Sequence, residues 1–431
     1  MNMDVTVVRR VVLGALTIFL VVPAIALAVQ PAASPEARPG PSASSPAVDE
    51  RTPVEVPTPS EKALRYYEGN MRLWAFHVAW SILVPAAIFF GGLSARIREL
   101  ARRIGRGWLP TVAAYLVLYL ALTAVLDLPF DYYAGFVRQH AYGMSNQTFG
   151  KWLADLLLAQ GVDILGAVLF GWVPFLLLAR SPRRWWLYTA ILSVPFLFLV
   201  VLIKPIWIDP LFNTFGPMKD PALERSILDL ASRAGIEGSR VFEVAKRVDT
   251  NAMNAYVTGL GGTKRIVLWD TLIDGMNERE LLAVMGHEMG HYVLGHVLKS
   301  ILLSSLVTLL GLFLIDRVGC WVVTRSANRT GVESLADVAS APLLAMLLVL
   351  NSLLLGPIVM AYSRHQEHEA DRFSLDLTHA NHSTGMAFVK LQRENLSNPR
   401  PGPIYTIFRG SHPSLGDRID FANSYHPWAD E

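Results

Sequence analysis

Residues 284–291 read Val284-Met285-Gly286-His287-Glu288-Met289-Gly290-His291, an HExxH pattern inside an apolar stretch that begins at Leu281. Side chains four apart share one face of a helix, so both imidazoles can reach a single metal ion. Glu288 then projects beside that ion, where a carboxylate can take a proton from a polarised water. Unpaired His and Glu are costly among apolar neighbours, which favours a metal over an ordinary helix surface. A catalytic zinc takes a third protein ligand and keeps one position open. The extended pattern HExxHxxGxxH does not supply it. Leu294 and Val297 stand at its last two places, and His296 is one residue out of register. His296 reads as a polar end of the same helix. The third ligand is therefore expected from a later helix, and Ser363-Arg364-His365-Gln366-Glu367-His368-Glu369-Ala370-Asp371-Arg372 is dense in candidates. Glu367 and Asp371 are four apart and share a face, whereas Glu369 points about 200° away from Glu367 on an ideal helix. With Glu367 on the metal, Asp371 can reach the site as a hydrogen-bond partner behind a ligand. The bland alternative for this stretch is a solvated, charged helix end.

The elements that position these groups belong to a chain of 431 residues, long enough for two or more folding units. Hydrophobic residues make up 52% and charged residues 17%, with a mean hydropathy of +0.34. Soluble domains carry about a quarter charged residues, so this composition points to a membrane protein. The net charge of +2 gives no global basic field to recruit nucleic acid. The single cysteine, Cys320, excludes an intrachain disulfide framework, a Cys-rich zinc site and a CxxC redox centre. A metal must be held by His and carboxylates.

An apolar run over residues 11–29 follows Arg9 and Arg10 and reads either as a signal peptide or as a first transmembrane helix. Residues 30–60 are rich in Pro, Ala, Ser and Glu and read as a linker. Six more apolar runs cover residues 73–93, 108–128, 160–179, 185–203, 300–315 and 341–362. The fifth is short for a span and is expected to begin within the preceding helix. Most have Trp, Tyr or Arg at an end, as interfacial anchors do. The expected organisation is a signal peptide or first helix (1–29), a linker (30–60), membrane helices (61–204), and a zinc metallopeptidase domain (205–431) that includes two membrane helices. Within the polar stretch 204–299, residues 221–235 read as an amphipathic helix and 241–244 as a short strand. Residues 254–257 and 265–269 flank Gly259-Leu260-Gly261-Gly262 and read as a hairpin. Asn277 opens a helix with Glu278 and Glu280 in its first turn, suited to the helix dipole.

His287-Glu288-x-x-His291 followed by Ser363-Arg364-x-x-Glu367-x-x-Ala370-Asp371 resembles the integral-membrane zinc metallopeptidases typified by the type I CAAX prenyl protease. The stretches 138–143 and 146–150, Pro210-Leu211-Phe212-Asn213, Asn254-Ala255-Tyr256, residues 264–268, Ser411-His412-Pro413-Ser414-Leu415 and Asp417-Arg418-Ile419 agree with that family too. The likeness runs from about residue 73 to the C-terminus. It implies a mainly α, polytopic membrane protein. About seven transmembrane helices, counting the N-terminal run, would enclose a water-filled chamber, with a small α+β gluzincin-type zinc protease domain. It implies one zinc per chain on His287, His291 and Glu367, Glu288 as general base, and Asp371 holding a ligand or donating a proton. It places Asn254 and His412 near the scissile carbonyl and its oxyanion, with Ala255 beside the substrate and Arg418 supporting that region. Two features depart from the eukaryotic members: Asn277-Glu278-Arg279-Glu280 leads directly into HExxH without a long charged insertion, and a Pro/Ala-rich segment follows the first run. No residue specifies a prenyl substrate.

The expected function is hydrolysis of peptide bonds in a peptide or protein substrate, by a membrane-embedded zinc endopeptidase. Alternatives are a quality-control protease of misfolded membrane proteins and a non-catalytic transport or chamber protein with a structural metal. Glu288 argues against the last, because such a site has no need of a carboxylate beside the first ligand. The loop charges address orientation. Arg9 and Arg10, then Arg96, Arg98, Arg102, Arg103 and Arg106, then Arg180, Arg183 and Arg184, then Arg317, Arg325 and Arg329 all fall on one side when crossings are counted. By the positive-inside rule that side is the cytoplasm, so the active site is expected to face the extracytoplasmic space.

Overall fold

The computed structural model describes residues 49–236, 240–258 and 265–428. The first apolar run, most of the expected linker and the glycine-rich turn at 259–262 lie outside them. The N-terminal half is helical: α1 (Glu61–Phe90), α2 (Leu93–Ile104), α3 (Trp108–Ala141), α4 (Phe149–Arg180) and α5 (Trp185–Phe212). A small domain follows, with β1 (Phe215–Pro217), α6 (Pro221–Arg233), β2 (Arg240–Val244), β3 (Ala255–Thr258), β4 (Arg265–Trp269), α7 (Asp270–Gly275) and α8 (Glu278–Val293). Two long helices, α9 (His296–Thr330) and α10 (Ala341–Thr378), precede α11 (Asn381–Glu394), α12 (Pro403–Phe408) and α13 (Leu415–Ser424). Among the described residues six helices are long and apolar enough to cross a bilayer: α1, α3, α4, α5, α9 and α10. Leu83, Val125, Leu306 and Leu354 stand exposed on them, as lipid-facing side chains do.

Each helix is longer than its apolar run, although α1 stops at Phe90, before the end of the 73–93 run. The fifth run is not a short span growing out of the HExxH helix. The chain breaks at Leu294–Gly295, where Gly295 adopts φ 68°, and α9 starts afresh at His296 and extends for 35 residues. That left-handed turn suits glycine, which carries no Cβ penalty there.

The arginine-rich loops meet at one end of the bundle. Arg98 of α2 pairs with Asp337 and donates to the Gly331 carbonyl at 3.1 Å, which ties the α1–α3 connection to the α9–α10 loop. Trp185, at the start of α5, donates to Asp316 of α9 at 2.6 Å. The HExxH helix and the polar half of α10 lie at the opposite end.

The sheet order is β1-β2-β4-β3, with β2 and β4 parallel and the other pairs antiparallel. The hairpin expected from the sequence is the β3–β4 pair, and β3 is an edge strand. Ile227 of α6, Ile266 and Leu268 of β4, and Met285 and Met289 of α8 form the fully buried core between sheet and helices. Asn277 caps α8 reciprocally with Glu280: Glu280 N–H donates to Asn277 at 3.0 Å and Asn277 N–H to Glu280 at 2.8 Å. Residues 49–56 differ from the expected free linker. The Val54 N–H and C=O both pair with the Asn423 side-chain amide at 2.8 Å, and Val54 is buried. Glu50 accepts from the Ser383 N–H at 2.9 Å at the start of α11. A single amide thus satisfies two backbone groups of a Pro-rich segment that joins no sheet.

The close approach of α8 to α10 runs along Gly286 and Gly290. A Cβ on Gly290 would stand 3.2 Å from the Ala370 Cα, and one on Gly286 would stand 2.8 Å from the Ser374 hydroxyl. That hydroxyl is fixed by donation to the Ala283 carbonyl at 2.6 Å. Gly290→Val should therefore destabilise the protein by about 1–3 kcal/mol through overpacking. The check is a thermal melt in detergent against Gly161→Ala, whose Cβ would meet nothing within 4 Å. Equal melting temperatures would refute the packing argument.

Candidate metal centre

Helix α8 presents His287 and His291 one turn apart, and α10 brings Glu367 against them. The His287 and His291 Nε2 atoms are 3.1 Å apart. Glu367 Oε2 lies 3.2 Å from the first, and Glu367 Oε1 3.3 Å from the second. Zinc bonds of ~2.0–2.1 Å at tetrahedral angles space ligand atoms by about 3.3 Å. Glu367 Oε2 is buried and makes no hydrogen bond among the described residues, which is costly unless a cation faces it. The donor set and its spacing fit zinc.

Behind the triangle, Asp371 Oδ1 lies 2.8 Å from His287 Nδ1. Arg418 of α13 clamps Asp371 with two bonds, Nη2 to Oδ1 at 2.6 Å and Nε to Oδ2 at 2.9 Å. Its guanidinium lies over the Phe388 ring at 4.1 Å and is buried. Burial and Arg418 press the His287 pKa down, but the Asp371 and Glu367 carboxylates outweigh them and lift it to about 10. The site therefore favours positive charge at this ring. Glu288 is half-buried, and its burial pushes the carboxyl above its ordinary range. With the imidazoles neutral, Glu288, Glu367 and Asp371 against Arg418 leave a surplus of two negative charges, which a divalent cation matches.

His287, Glu288, Asp371, His412, Asn254, Ala255 and Arg418 all line one cleft of about 290 Å³. His412 Nε2 reaches to 3.3 Å from Glu367 Oε2, and its Nδ1 lies 2.8 Å from the Ser411 hydroxyl. The Asn254 carbonyl accepts from the Trp269 N–H at 3.1 Å, while its side chain turns to the Ala255 N–H at 2.9 Å. Ala255 begins the edge strand β3. Arg418, expected to support the substrate region, lines the cleft and commits its guanidinium to Asp371 and the His287 ring, 3.2 Å away. Sequence reasoning missed Phe388, for which no spacing signal exists, and the neighbourhood of His296. His296 is not a polar end of the HExxH helix. It is the buried first residue of α9, with its Nδ1 2.8 Å from His291 Nδ1. Glycine four residues after His291 was the available signal for that break.

Residues 217–426 match the model of peptidase family M48, and residues 57–214 match that of the CAAX prenyl protease N-terminal region, described as five membrane helices. Four of the six spans described above fall in the latter segment. The uncharacterized metalloprotease YhfN of Bacillus subtilis is 36% identical over 86% of this chain and 87% of its own length. The CAAX prenyl protease 1 homolog of Dictyostelium discoideum is 32% identical over 78% of each chain. The crystal structure of S. mikatae Ste24p superposes with a TM-score of 0.70 at 25% identity, covering 83% of this chain and 87% of that one. The helices, the His-His-Glu triangle and these likenesses agree: this chain is a multi-pass membrane protein that belongs to peptidase family M48, with the CAAX prenyl protease homologues among its relatives.

Proposed function

We propose that this protein is a membrane-embedded, zinc-dependent endopeptidase. The observation that carries the reading is the His287, His291 and Glu367 cluster, whose donor atoms are spaced as zinc ligands are and whose Glu367 Oε2 is buried without a hydrogen bond among the described residues. A bound zinc ion would supply Lewis acidity to a water and to the peptide carbonyl. Glu288 takes the proton of the attacking water at its carboxylate and passes it to the leaving nitrogen; its raised pKa suits both steps. Asp371 accepts from the His287 Nδ1–H, so His287 presents Nε2 to the metal. Arg418 compensates the charge of Asp371. His412, half-exposed in the cleft, donates to the developing oxyanion. The free edge of β3, from Ala255 to Thr258, pairs with the substrate backbone as an added strand, which binds peptides without strict sequence demand.

Substrates are peptides or proteins that reach a site at the edge of the bilayer, and no residue commits the protein to a prenylated one. The collected arginines assign their end of the bundle to the cytoplasm, which turns the cleft to the extracytoplasmic face. The protein then acts on exported or membrane proteins.

Glu288→Gln should keep zinc in metal analysis and lose turnover of a peptide library by about 10²–10⁴-fold. Wild-type hydrolysis by that variant would overturn the mechanism. Glu367→Ala should lose most of its zinc, because one corner of the triangle disappears; full zinc occupancy would remove Glu367 from the ligand set. Orientation is read by reporters fused after Glu431: alkaline phosphatase should be active and green fluorescent protein dark. The opposite pair of signals reverses the topology and leaves the zinc chemistry untouched.

A further inference from the structure

The two metal-binding imidazoles are held in different ways. His287 leans on the Asp371 carboxylate, while His291 leans on a third imidazole. The break at Gly295 matters here. On an unbroken helix His296 would stand about 140° around from His291. Because α9 restarts with its own axis, the ring turns back, and its Nδ1 comes within 2.8 Å of His291 Nδ1.

One of these two nitrogens must carry the proton. If His291 gives Nε2 to the metal, its Nδ1 is the donor and His296 Nδ1 the acceptor. His296 then carries its own proton on Nε2, which lies 3.3 Å from Glu369 Oε2. His296 is 3% exposed, its Nε2 makes no hydrogen bond among the described residues, and the Glu369 carboxylate is the charged group that approaches it. Lys299 at 3.9 Å and His365 at 3.8 Å approach the same Glu369 oxygen. Gln366 fixes the backbone of the same residue: its amide donates to the His296 carbonyl at 3.2 Å and accepts from Ser300 at 2.9 Å.

We propose that His296 and Glu369 are positioning residues for the metal ligand His291, forming a relay from His291 Nδ1–H to His296 to the Glu369 carboxylate. Glu369 is off the metal, as its direction on α10 demands, yet it lies only one imidazole away. Helix α10 therefore serves both ligands: Glu367 and Asp371 on one face bind and brace His287, and Gln366 and Glu369 on the next face brace His291. The relay fixes the His291 tautomer and ring plane, and raises the electron density at the ligating nitrogen. Partners of this kind are worth about 10–100-fold in metal affinity.

The inference rests on the reading of the triangle as a zinc site, so the experiment measures zinc affinity directly. Full-length protein in detergent is stripped with a chelator and titrated with zinc in a competing buffer. His296→Ala should weaken zinc binding about 10–100-fold. His296→Asn should recover most of it, because the Asn side chain places an acceptor near the position of Nδ1. His296→Gln should not, because its amide extends toward Nε2. Glu369→Gln should weaken binding less than His296→Ala. Each variant is also melted in its metal-free form. Positioning predicts a metal-free melting temperature near the wild type and a smaller shift on adding zinc. Zinc affinity of His296→Ala within twofold of the wild type would overturn the proposal, as would Asn binding no better than Ala. Failure of the wild-type protein itself to bind zinc would instead overturn the metal reading from which the proposal starts.

Discussion

The contact on which the site depends is the glycine-lined approach of α8 to α10. A metal centre of this kind needs ligand atoms held about 3.3 Å apart. Two helices with ordinary side chains between them sit 8–10 Å apart at their axes, roughly, and the larger the side chain the wider the gap. Gly286 and Gly290 remove that spacer on the face next to His287 and His291. Ser374 and Ala370 on α10 match them with small side chains of their own. Glu367, at the helix level of His287 and His291, can then meet both rings while its backbone remains fully helical. Under the zinc reading, the ligands are thereby held by rigid elements and not by loops, which keeps their positions within the tolerance that metal coordination allows.

Bringing the helices together confines charge. Glu367 and Asp371 are both buried, and Arg418 is buried with them. A carboxylate taken out of water must find a partner or a proton. Asp371 finds Arg418 in a two-bond clamp, the arrangement in which guanidinium and carboxylate are most complementary. Phe388 covers the open face of that guanidinium. Glu367 has no guanidinium partner among the described residues and faces the His287, His291 and His412 rings instead. Under the zinc reading, the difference between these two carboxylates, four residues apart on one helix, divides their roles: one braces, the other binds.

Much of this centre was legible in the sequence because its parts obey helix periodicity. His287 and His291, and Glu367 and Asp371, are each four apart, and the hydrophobic runs on both sides announce the helices that carry them. The capped start of α8 was legible for the same reason, since Asn277 and Glu280 stand at fixed offsets. What escaped was non-periodic or distant. The three-residue strand β1 is too short to show alternation. The Val54–Asn423 pairing joins positions hundreds of residues apart with no pattern at either end. His296 was misplaced because a single helical phase was carried through Gly295, and one left-handed residue resets both the axis and the phase. The stack of Phe388 on Arg418 exists only because α11 and α13 meet in three dimensions.

Helix α10, which carries Glu367, is also one of the apolar spans, and α9 leads from the HExxH helix into another, which sets where a substrate can be. The apolar run of α10 ends at residue 362, and Glu367 comes five residues later, about 7–8 Å along the helix axis. His296 opens α9, and its apolar run starts at residue 300. Glu367 therefore lies within about two helical turns of the apolar boundary on α10, and β3, last in the strand order among the described residues, brings Ala255 into the same cleft as His287. Strand pairing reads backbone and not side chains, so an edge strand at this depth selects little by sequence. Under the endopeptidase reading, selection falls to geometry: the favoured bond is one carried by an extended segment that can reach a cleft of about 290 Å³ at the membrane boundary. A folded soluble domain presents no such segment, whereas the stretch of a membrane-bound chain next to its anchor does.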